Sequence, residues 1–504
     1  MNLSDLFAIP PRQTPAKPAL RFRDGDTAAD LTYEELFAAA GRLAAHFHSL
    51  GLKKGDRAAF FLGNRPEFVI AYLALIRLGA VLVPINLAYR RREIAHILED
   101  AAPRLLVTER SQLPFLEELD PAERQTLDSI LLVEDLWAAV PPRLGQEGGL
   151  SGAGPIHGSD LAMILYTSGT TGRSKGAMIS HDNVLATMTG LLAAWAWRPD
   201  DALLLSLPLF HTHGLVVGLH CALAAGATVL LRRRFDAAET VRDLLSGEPT
   251  LFFGVPTMYV RLADELKTVA DRSALARMRL FCSGSAPLAP ETFAAFRDLT
   301  GHAILERYGM TETGMNLSNS YAGERVPGTV GTPLPGVSAR IVDAAGRDVE
   351  PGGEGELLVR GSNVFSGYWQ APEKTDESFT HDAAGWRWFK TGDLARQDPA
   401  TGAITLLGRR HELIISGGFN VYPREVEEVL VTFPGVREAA VVGRRHPEWG
   451  EVPAAFLVTD GEIDETELII FCKSQMAGFK VPREVRFVEA LPRNALGKVQ
   501  KHLL

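Results

Sequence analysis

A segment rich in glycine and hydroxyl side chains, residues 166–176, constrains the fold most. It reads YTSGTTGRSKG, follows an apolar run at 161–165 and precedes a helix-like stretch that starts at His181. Backbone N–H groups and hydroxyls of such a loop can surround a polyphosphate, and Arg173 and Lys175 add positive charge. The spacing is not that of the P-loop GxxxxGK[ST], because Ser174 and Gly176 flank the lysine. We interpret the segment as a phosphate-binding loop of another kind; a flexible surface loop is the alternative.

Helical and strand-like segments alternate through about the first four-fifths of the chain, which predicts an α/β architecture with largely parallel sheets. A chain of 504 residues is too long for one ordinary core. Near its end the pattern changes: helices are predicted at 423–433 and 464–476, and strands at 436–442 and 454–458. We therefore predict a large N-terminal domain at 1–408, a hinge at 409–411 and a small α+β domain at 412–504.

The composition excludes several classes of protein. Hydrophobic residues make up 46% and charged residues 22%, which is typical of a soluble globular protein. A net charge of -9 with scattered basic residues gives no reason to expect nucleic acid as a partner. The N-terminus lacks a signal-peptide pattern, so we expect a cytoplasmic protein. Three cysteines without CxxC spacing predict buried thiols in a reducing compartment: Cys221, Cys282 and Cys472.

Two segments give sharper structural predictions. The helix after Asn64 has Asn64 as its predicted cap, Pro66 in its first turn and Gly79 at its end. The uncharged stretch 214–231 has the length of a membrane span, but it contains His220 and Gly226. We predict a buried helix, a turn and a strand there, with no membrane involved.

Several further motifs follow the loop in a fixed order. They are YGMTET at 308–313, TGD at 391–393, GR at 408–409, GG at 417–418 and PRNALGK at 492–498. Together with the loop they resemble the adenylate-forming acyl-CoA synthetase superfamily, which includes luciferases and peptide-synthetase adenylation domains. The resemblance covers nearly the whole chain. It implies a mobile small domain and an acid–thiol ligase that uses ATP, Mg²⁺ and CoA and releases AMP and pyrophosphate.

The resemblance also implies roles for individual residues. Glu312 would bind Mg²⁺, and Thr167, Lys175, Glu312 and Lys498 would form the catalytic group. Tyr308 would stack on adenine, while Asp393 and Arg409 would hold the ribose, although a turn aspartate and a surface arginine are the alternatives. The full predicted set of ATP and AMP contacts is Thr167, Ser168, Gly169, Thr170, Thr171, Gly172, Lys175, Ser283, Gly284, Ser285, Ala286, Glu306, Arg307, Tyr308, Gly309, Met310, Thr311, Asp393 and Arg409.

The small domain carries the remaining predicted parts. In the family, the lysine that matches Lys498 bridges the substrate carboxylate and the α-phosphate, whereas a tail lysine is the plain alternative. Gly417 and Gly418 would leave room for the pantetheine arm of CoA. His411 stands at the hinge, where the family often has Asp or Lys. Acylation of Lys498 would remove its charge, so a lysine acyltransferase or deacylase is a further predicted partner.

The acid is predicted from a candidate acyl pocket. An arginine buried without a partner is costly, so Arg261 and Arg325 within such a pocket would favour a second carboxylate. The sequence also resembles the malonyl-CoA synthetases of the family, in which matching arginines face that carboxylate. The predicted substrate contacts are His211, Arg261, Ser283, Met310 and Arg325, and the predicted acid is malonate, with methylmalonate as a second substrate. A ligase for short-chain or aromatic monocarboxylates, or an adenylation module that loads a carrier protein, remains the alternative.

Overall fold

The computed structural model describes residues 1–136, 154–167, 174–416, 419–446, 449–476, 478–494 and 497–504, without the side chains of residues 411, 419 and 420. In these ranges the strands are β1 (Pro18–Asp24), β2 (Thr27–Thr32), β3 (Arg57–Phe61), β4 (Val81–Pro84), β5 (Leu105–Thr108), β6 (Ser129–Leu132), β7 (Leu161–Thr167), β8 (Lys175–Ser180), β9 (Ala202–Leu205), β10 (Thr228–Arg232), β11 (Leu251–Gly254), β12 (Leu280–Ser283), β13 (Leu305–Met310), β14 (Gly314–Ser318), β15 (Thr332–Pro333), β16 (Val337–Val342), β17 (Glu354–Gly361), β18 (Phe379–His381), β19 (Arg387–Gln397), β20 (Ile404–Arg409), β21 (Ile414–Ser416), β22 (Phe419–Val421), β23 (Val436–His446), β24 (Gly450–Thr459) and β25 (Glu484–Phe487).

The α-helices are α1 (Leu3–Phe7), α2 (Ile9–Gln13), α3 (Tyr33–Ser49), α4 (Pro66–Leu78), α5 (Arg91–Ala101), α6 (Leu113–Glu117), α7 (His181–Ala194), α8 (Cys221–Ala225), α9 (Ala237–Leu245), α10 (Pro256–Lys267), α11 (Pro290–Thr300), α12 (Pro372–Glu377), α13 (Pro423–Leu430) and α14 (Glu465–Gln475). A π-helix spans His213–His220. Short 3₁₀ helices cover Arg110–Gln112, Pro121–Arg124, Ser273–Arg277, Arg410–Glu412 and Lys501–Leu503.

The large N-terminal domain is built on three sheets. The first has the strand order β15-β14-β13-β12-β11-β9-β10-β1-β2 and is parallel from β13 through β1. The second has the order β6-β5-β3-β4-β7-β8, with only the β7–β8 pair antiparallel. The third, β16-β17-β19-β18 with β20 paired to β19, is antiparallel. The α/β fold predicted from the alternating segments is confirmed.

Helix α4 shows why local signals locate an element better than they assign its contacts. Its residues are almost all buried, Pro66 occupies its first turn, and Gly79 ends it with φ 69°. The predicted cap is wrong, because Arg65 is the N-cap residue. Asn64 instead donates to the carbonyls of Leu207 and Arg232 and accepts from the N–H of Leu209. It therefore ties the end of β3 to the neighbouring sheet.

The stretch 214–231 forms the predicted buried helix, turn and strand. The π-helix continues into α8, Gly226 follows with φ 69°, and β10 comes next. Long π-helical turns are rare and occur mostly at functional sites. Within the described parts of the chain, no helix is both long and apolar enough to cross a membrane.

The small domain is the predicted α+β unit. Its sheet has the order β22-β21-β24-β23, with β25 paired to β24. Helices α13 and α14 pack on it around a separate apolar cluster that includes Val426, Leu430 and Leu468. The predicted elements are confirmed with small shifts at their ends: Asp464 is the N-cap of α14, not its first residue.

Candidate active site

The predicted site residues gather where parallel strands end. Ser283 closes β12, Pro256 opens α10 just after β11, and Thr167 closes β7. Parallel strands in an α/β sheet end at one edge, where ligands of such folds bind. Strand β13 contributes two adjacent residues to this region, Arg307 and Tyr308. Because side chains alternate along a strand, these two point to opposite faces of the sheet. Two distinct halves of the site therefore meet at one strand.

The half on the Tyr308 side is a closed hydrogen-bond network. The Tyr308 hydroxyl donates to Oδ2 of Asp393 at 2.5 Å, and Nε of Arg409 lies 3.0 Å from Oδ1 of the same carboxylate. Nη1 of Arg409 also donates to the carbonyl of Thr391 at 3.1 Å. Burial lowers the pKa of Arg409, but Asp393, Tyr308, Glu312 and Glu412 together raise it by more, so the net pKa is raised. The structure thus brings together the two residues predicted to hold a ribose.

The Lys498 loop of the small domain reaches this network. A Cβ at Gly497 would lie 3.5 Å from Oγ1 of Thr257 on α10, so the loop sits against the large domain. The surrounding protein lowers the pKa of Lys498, and Arg409 lowers it further, while Asp393 opposes both. Lys498 keeps solvent-exposed surface. Lys498 is therefore a partly exposed cation beside the Asp393–Arg409 pair.

Glu312 lies on the side of the phosphate loop. Its Oε1 accepts from the Tyr368 hydroxyl at 3.0 Å and from Oγ1 of Thr167 at 3.4 Å. The ammonium of Lys175 lies 5.3 Å from the centre of the Tyr368 ring, and Thr311 directly precedes Glu312. A carboxylate among hydroxyls suits Mg²⁺, which takes few protein ligands and completes its shell with water and phosphate oxygens. Thr167, Lys175 and Glu312 therefore belong to one cluster.

The half on the Arg307 side is open. Arg307 is only 3% exposed, yet its Nε and Nη2 have no hydrogen-bond partner. Burial lowers the pKa of its guanidinium. A Cβ at Gly284 would lie 2.4 Å from Cζ of Arg307, so only glycine permits this close approach. An unpartnered buried cation costs several kcal/mol unless an anion binds it, so this guanidinium is suited to an anionic group of a substrate.

Two histidines and a serine line the same half. The N–H of His213 donates to Nδ1 of His211 at 3.2 Å, and Nδ1 of His213 lies 3.2 Å from Oγ of Ser285. Burial lowers the pKa of His211 to about 4 and that of His213 well below its usual value, and the charge of Arg307 adds to both shifts. Both imidazoles are therefore neutral near pH 7. Ser285 has φ 69°, an unfavourable backbone conformation of the kind found at functional sites.

Two predicted nucleotide contacts in β13 lie in different surroundings. Arg307, whose nucleotide contact stays a prediction, lies near His211 and His213. Glu306, also predicted to contact the nucleotide, is buried, and its Oε1 accepts from the N–H of Leu288 at 3.0 Å. Burial raises the pKa of Glu306 to about 7, against a lowering by Arg424 of the small domain. The strand alternation explains why neighbours in one motif serve different surroundings.

The two arginines predicted to face a second carboxylate lie elsewhere. Arg325 donates its N–H groups to the carbonyls of Ser320, Ala303 and Tyr321, so its guanidinium is already satisfied. Arg261 is exposed on α10, one turn after Thr257. Arg325 is therefore not an unpaired cation and Arg261 is not a buried one, and their roles as substrate contacts stay predictions.

Other predicted residues fall around these groups. Ser283 is fully buried and its hydroxyl lacks a partner, while Ala286 and Met310 are half-buried. A Cβ at Gly309 would lie 2.1 Å from the carbonyl oxygen of Gly314, so a bulge in β13 requires this glycine. The remaining predicted positions lie outside the described residues: Ser168, Gly169, Thr170, Thr171, Gly172, Arg173, Gly417, Gly418 and the side chain of His411.

Tyr368 and His213 are contributors that sequence reasoning missed or undervalued. Tyr368 lies 56 residues from its partner Glu312 along the chain. No local signal indicates such a pairing. His213 did have a signal, since it follows His211 at a spacing of two, but a buried histidine in an apolar stretch is more often part of the core.

Comparison with known proteins agrees with this geometry. Residues 7–369 match the family model described as AMP-binding enzyme, and residues 425–498 match the AMP-binding enzyme C-terminal domain. The chain belongs to this family of adenylate-forming enzymes, whose acyl-CoA ligases use ATP and CoA as substrates.

Individual relatives are CoA ligases. The mitochondrial malonate–CoA ligase ACSF3 of Mus musculus is 36% identical over 93% of this chain and 85% of its own length. The 2-succinylbenzoate–CoA ligase of Bacillus licheniformis is 38% identical over 94% of each chain. The crystal structure of ATP-bound MatB from Rhodopseudomonas palustris superposes with a TM-score of 0.89 at 40% identity, over 100% of this chain and 98% of that one.

Proposed function

We propose that this protein is a malonate–CoA ligase that forms malonyl-CoA through malonyl-AMP and also accepts methylmalonate. In the first half-reaction, a malonate carboxylate attacks the α-phosphorus of ATP, and pyrophosphate leaves. In the second, the CoA thiol attacks the acyl carbon, and AMP leaves. Mg²⁺ held by Glu312 would neutralise phosphate charge during the first step.

Arg307 carries the proposal for a diacid. Its guanidinium is buried with two unpartnered nitrogens and lies near neutral His211 and His213. A second carboxylate of the substrate would pair with it and remove the cost of that buried charge. An apolar acid would leave the charge unpaired. The printed names of the relatives support a diacid too, because malonate and 2-succinylbenzoate each carry two carboxylates.

Domain alternation would separate the two half-reactions. The closeness of Gly497 to Thr257, whose Oγ1 would lie 3.5 Å from a Cβ at Gly497, and the position of Lys498 beside Asp393 and Arg409 support the adenylating arrangement. We propose that the small domain, 412–504, turns about 409–411 after adenylation, withdraws Lys498 and brings Gly417 and Gly418 to the acyl-adenylate. A flexible lysine on a moving domain suits such a transient role.

A panel of acids tests the proposal. Acid-dependent ATP–pyrophosphate exchange is measured with malonate, methylmalonate, sulfoacetate, 2-succinylbenzoate, propionate and ferulate. Malonate is expected to give the highest kcat/KM, with propionate at least about 100-fold lower because it leaves Arg307 unpaired. A higher rate with any monocarboxylate would replace the diacid assignment by that of a monocarboxylate ligase.

A second assay identifies the acceptor. Malonyl transfer to free CoA is compared with transfer to a phosphopantetheinyl carrier protein, with the acyl-adenylate formed in place. CoA is expected to be the better acceptor by at least about tenfold. Preference for the carrier would mean an adenylation module that serves a protein partner.

Reversible acylation of Lys498 fits the same proposal. Acylation would remove the charge that faces the α-phosphate and would stop adenylation. The exposed surface of Lys498 leaves it open to a lysine acyltransferase or deacylase. Mass spectrometry of the purified protein, with exchange activity before and after enzymatic deacylation, tests this: activity is expected to rise as the modified fraction falls.

A further inference from the structure

Both ends of the glycine-rich loop are hydrogen-bonded to one helix. Tyr166, before the loop, donates its hydroxyl to Oδ2 of Asp100 at 2.5 Å. Ser174, after the loop, has its carbonyl oxygen 2.8 Å from Nε2 of His96. His96 and Asp100 are four residues apart on α5, so they lie on the same face of the helix.

Helix α5 is a rigid support. Its opposite face buries Ile94, Ile97 and Leu98 in the same apolar cluster that contains Ile164 of β7. The His96 ring also meets the Tyr166 ring edge-on, with centroids 5.9 Å apart. Because the face that points away from the loop is fixed in the core, the two polar side chains present their groups at a constant separation.

Asp100 also connects the loop to the Glu312 cluster. Its carbonyl oxygen accepts from Nε1 of Trp369 at 3.0 Å, and the N–H of Trp369 donates to the carbonyl of Gly176 at 2.7 Å. The next residue back, Tyr368, holds Glu312. Asp100 thus lies between the loop and the residues that surround the proposed metal ligand.

The position of Asp100 is otherwise unfavourable. It occupies the last turn of α5, which has no basic residue, and a carboxylate at a helix C-terminus is disfavoured by the helix dipole. A sequence choice that breaks a local rule is expected at functional positions. The bond to Tyr166 supplies the compensating interaction.

We propose that His96 and Asp100 are positioning residues that fix the two ends of the phosphate loop and so set the affinity for the β- and γ-phosphates of ATP. They touch no substrate; they act through Tyr166 and Ser174. The inference rests on the ATP chemistry of the proposed function but not on the identity of the acid. It concerns ATP and pyrophosphate, because AMP and the acyl-adenylate lack those phosphates.

Calorimetric binding of α,β-methylene-ATP with Mg²⁺, compared with binding of AMP, tests the proposal without any acid. Asp100→Ala and Tyr166→Phe are each expected to weaken binding of the ATP analogue about tenfold. The double variant is expected to show the same loss, because each change removes the same hydrogen bond. AMP affinity is expected to stay within about twofold. His96→Phe keeps the ring but loses the N–H and is expected to behave alike, while His96→Gln restores a donor and most of the affinity.

The matched control is Glu99→Gln, an exposed position on the same helix, which is expected to bind both nucleotides like the parent protein. Equal weakening of AMP and the ATP analogue would mean a general structural role and would overturn the proposal, as would unchanged binding of both. Failure of malonate as substrate leaves these binding results intact, so the two proposals fail separately.

Discussion

Tyr308 and Arg307 are neighbours in β13, yet Tyr308 belongs to a fully hydrogen-bonded network and Arg307 to a group of buried side chains with unpartnered atoms. On the Tyr308 side, Asp393 accepts from a hydroxyl and a guanidinium, and Arg409 has a second partner at Thr391. On the Arg307 side, two guanidinium nitrogens, Nε2 of His213 and the Ser283 hydroxyl lack partners. One network is complete without a ligand, and the other is not.

This difference separates recognition of a neutral group from recognition of an anion. A completed network is rigid before binding and can present fixed oxygens to ribose hydroxyls at little reorganisation cost. An open network lowers stability by about 1–3 kcal/mol for each unsatisfied buried group, and a ligand that completes it recovers that energy. We expect the closed half to set affinity for every substrate equally and the open half to discriminate between acids.

The largest loss of activity is expected from replacing Lys498, which we propose to act in the adenylation step and which belongs to neither of the two hydrogen-bond networks. Lys498→Ala should lower malonate-dependent ATP–pyrophosphate exchange by about 1000-fold, since it removes the cation that we propose to face the α-phosphate. Thioester formation from supplied malonyl-AMP should stay within about twofold. The measurement is both half-reactions on the same preparation; parallel losses would contradict domain alternation.

Arg307→Met tests the open half directly. It should lower kcat/KM for malonate by about 100-fold, because truncating one partner of a buried charge pair costs roughly 2–5 kcal/mol. Propionate should be unaffected or improved, since the methionine offers an apolar wall. Steady-state kinetics with both acids gives the ratio.

The matched control for this variant is Arg325→Met, which removes a guanidinium bound to backbone carbonyls. Its effect should fall equally on malonate and propionate and appear as a lower melting temperature. The measured quantity is the ratio of kcat/KM for malonate to that for propionate. If Arg307→Met leaves this ratio unchanged, or if Arg325→Met alters it, a residue other than Arg307 binds the second carboxylate.

The difference between these two arginines marks the limit of sequence reasoning. The order and type of elements and the small domain follow from periodicity and turn residues. The grouping of Thr167, Lys175 and Glu312 follows from the family resemblance that the order of motifs carries. The sequence does not reveal which arginine is unpaired, because the pairing depends on backbone carbonyls that loops bring together. Arg325 meets a carbonyl of Ala303, 22 residues away.

The hydrogen-bond partners of Asn64 also could not be predicted from the sequence. The sequence correctly places a helix after it, because proline in the first turn and glycine at the end are local signals. Its side chain, however, serves strand ends that are 143 and 168 residues away. Local chemistry predicts that a polar group needs a partner, but only the tertiary structure identifies the partner.

Asp393→Asn tests the closed half. It removes the charge that pairs with Arg409 and one strong acceptor, so AMP affinity should fall by about 10- to 50-fold, in the range for hydrogen bonds to charged groups. The malonate-to-propionate ratio should not change, in contrast to Arg307→Met. Calorimetry with AMP and kinetics with both acids provide the measurement; a shifted ratio would mean that the two halves are coupled.

Glu306 gives the smallest expected effect on activity and the sharpest check on the meaning of an unpartnered atom. Its Oε2 is buried without a partner, as in the open half, but burial raises its pKa to about 7. The folded protein therefore binds a proton at Glu306 more tightly than the unfolded chain does, and a protonated carboxyl carries no charge that a ligand would have to balance. The stability it contributes is complete below about pH 4.5 and is lost as pH rises towards 7, by about 3 kcal/mol.

Glu306→Gln removes that titration. Thermal unfolding measured between pH 5 and pH 8 should lose less stability with rising pH in the variant than in the parent, while kcat/KM for malonate stays within about threefold. The buried amide costs something at every pH, so the slope and not the absolute stability is the test. A large loss of activity with an unchanged slope would mean that Glu306 is a ligand-binding group after all. In that case an unpartnered buried carboxyl oxygen would indicate a ligand-binding site, as we propose that the unpartnered guanidinium does.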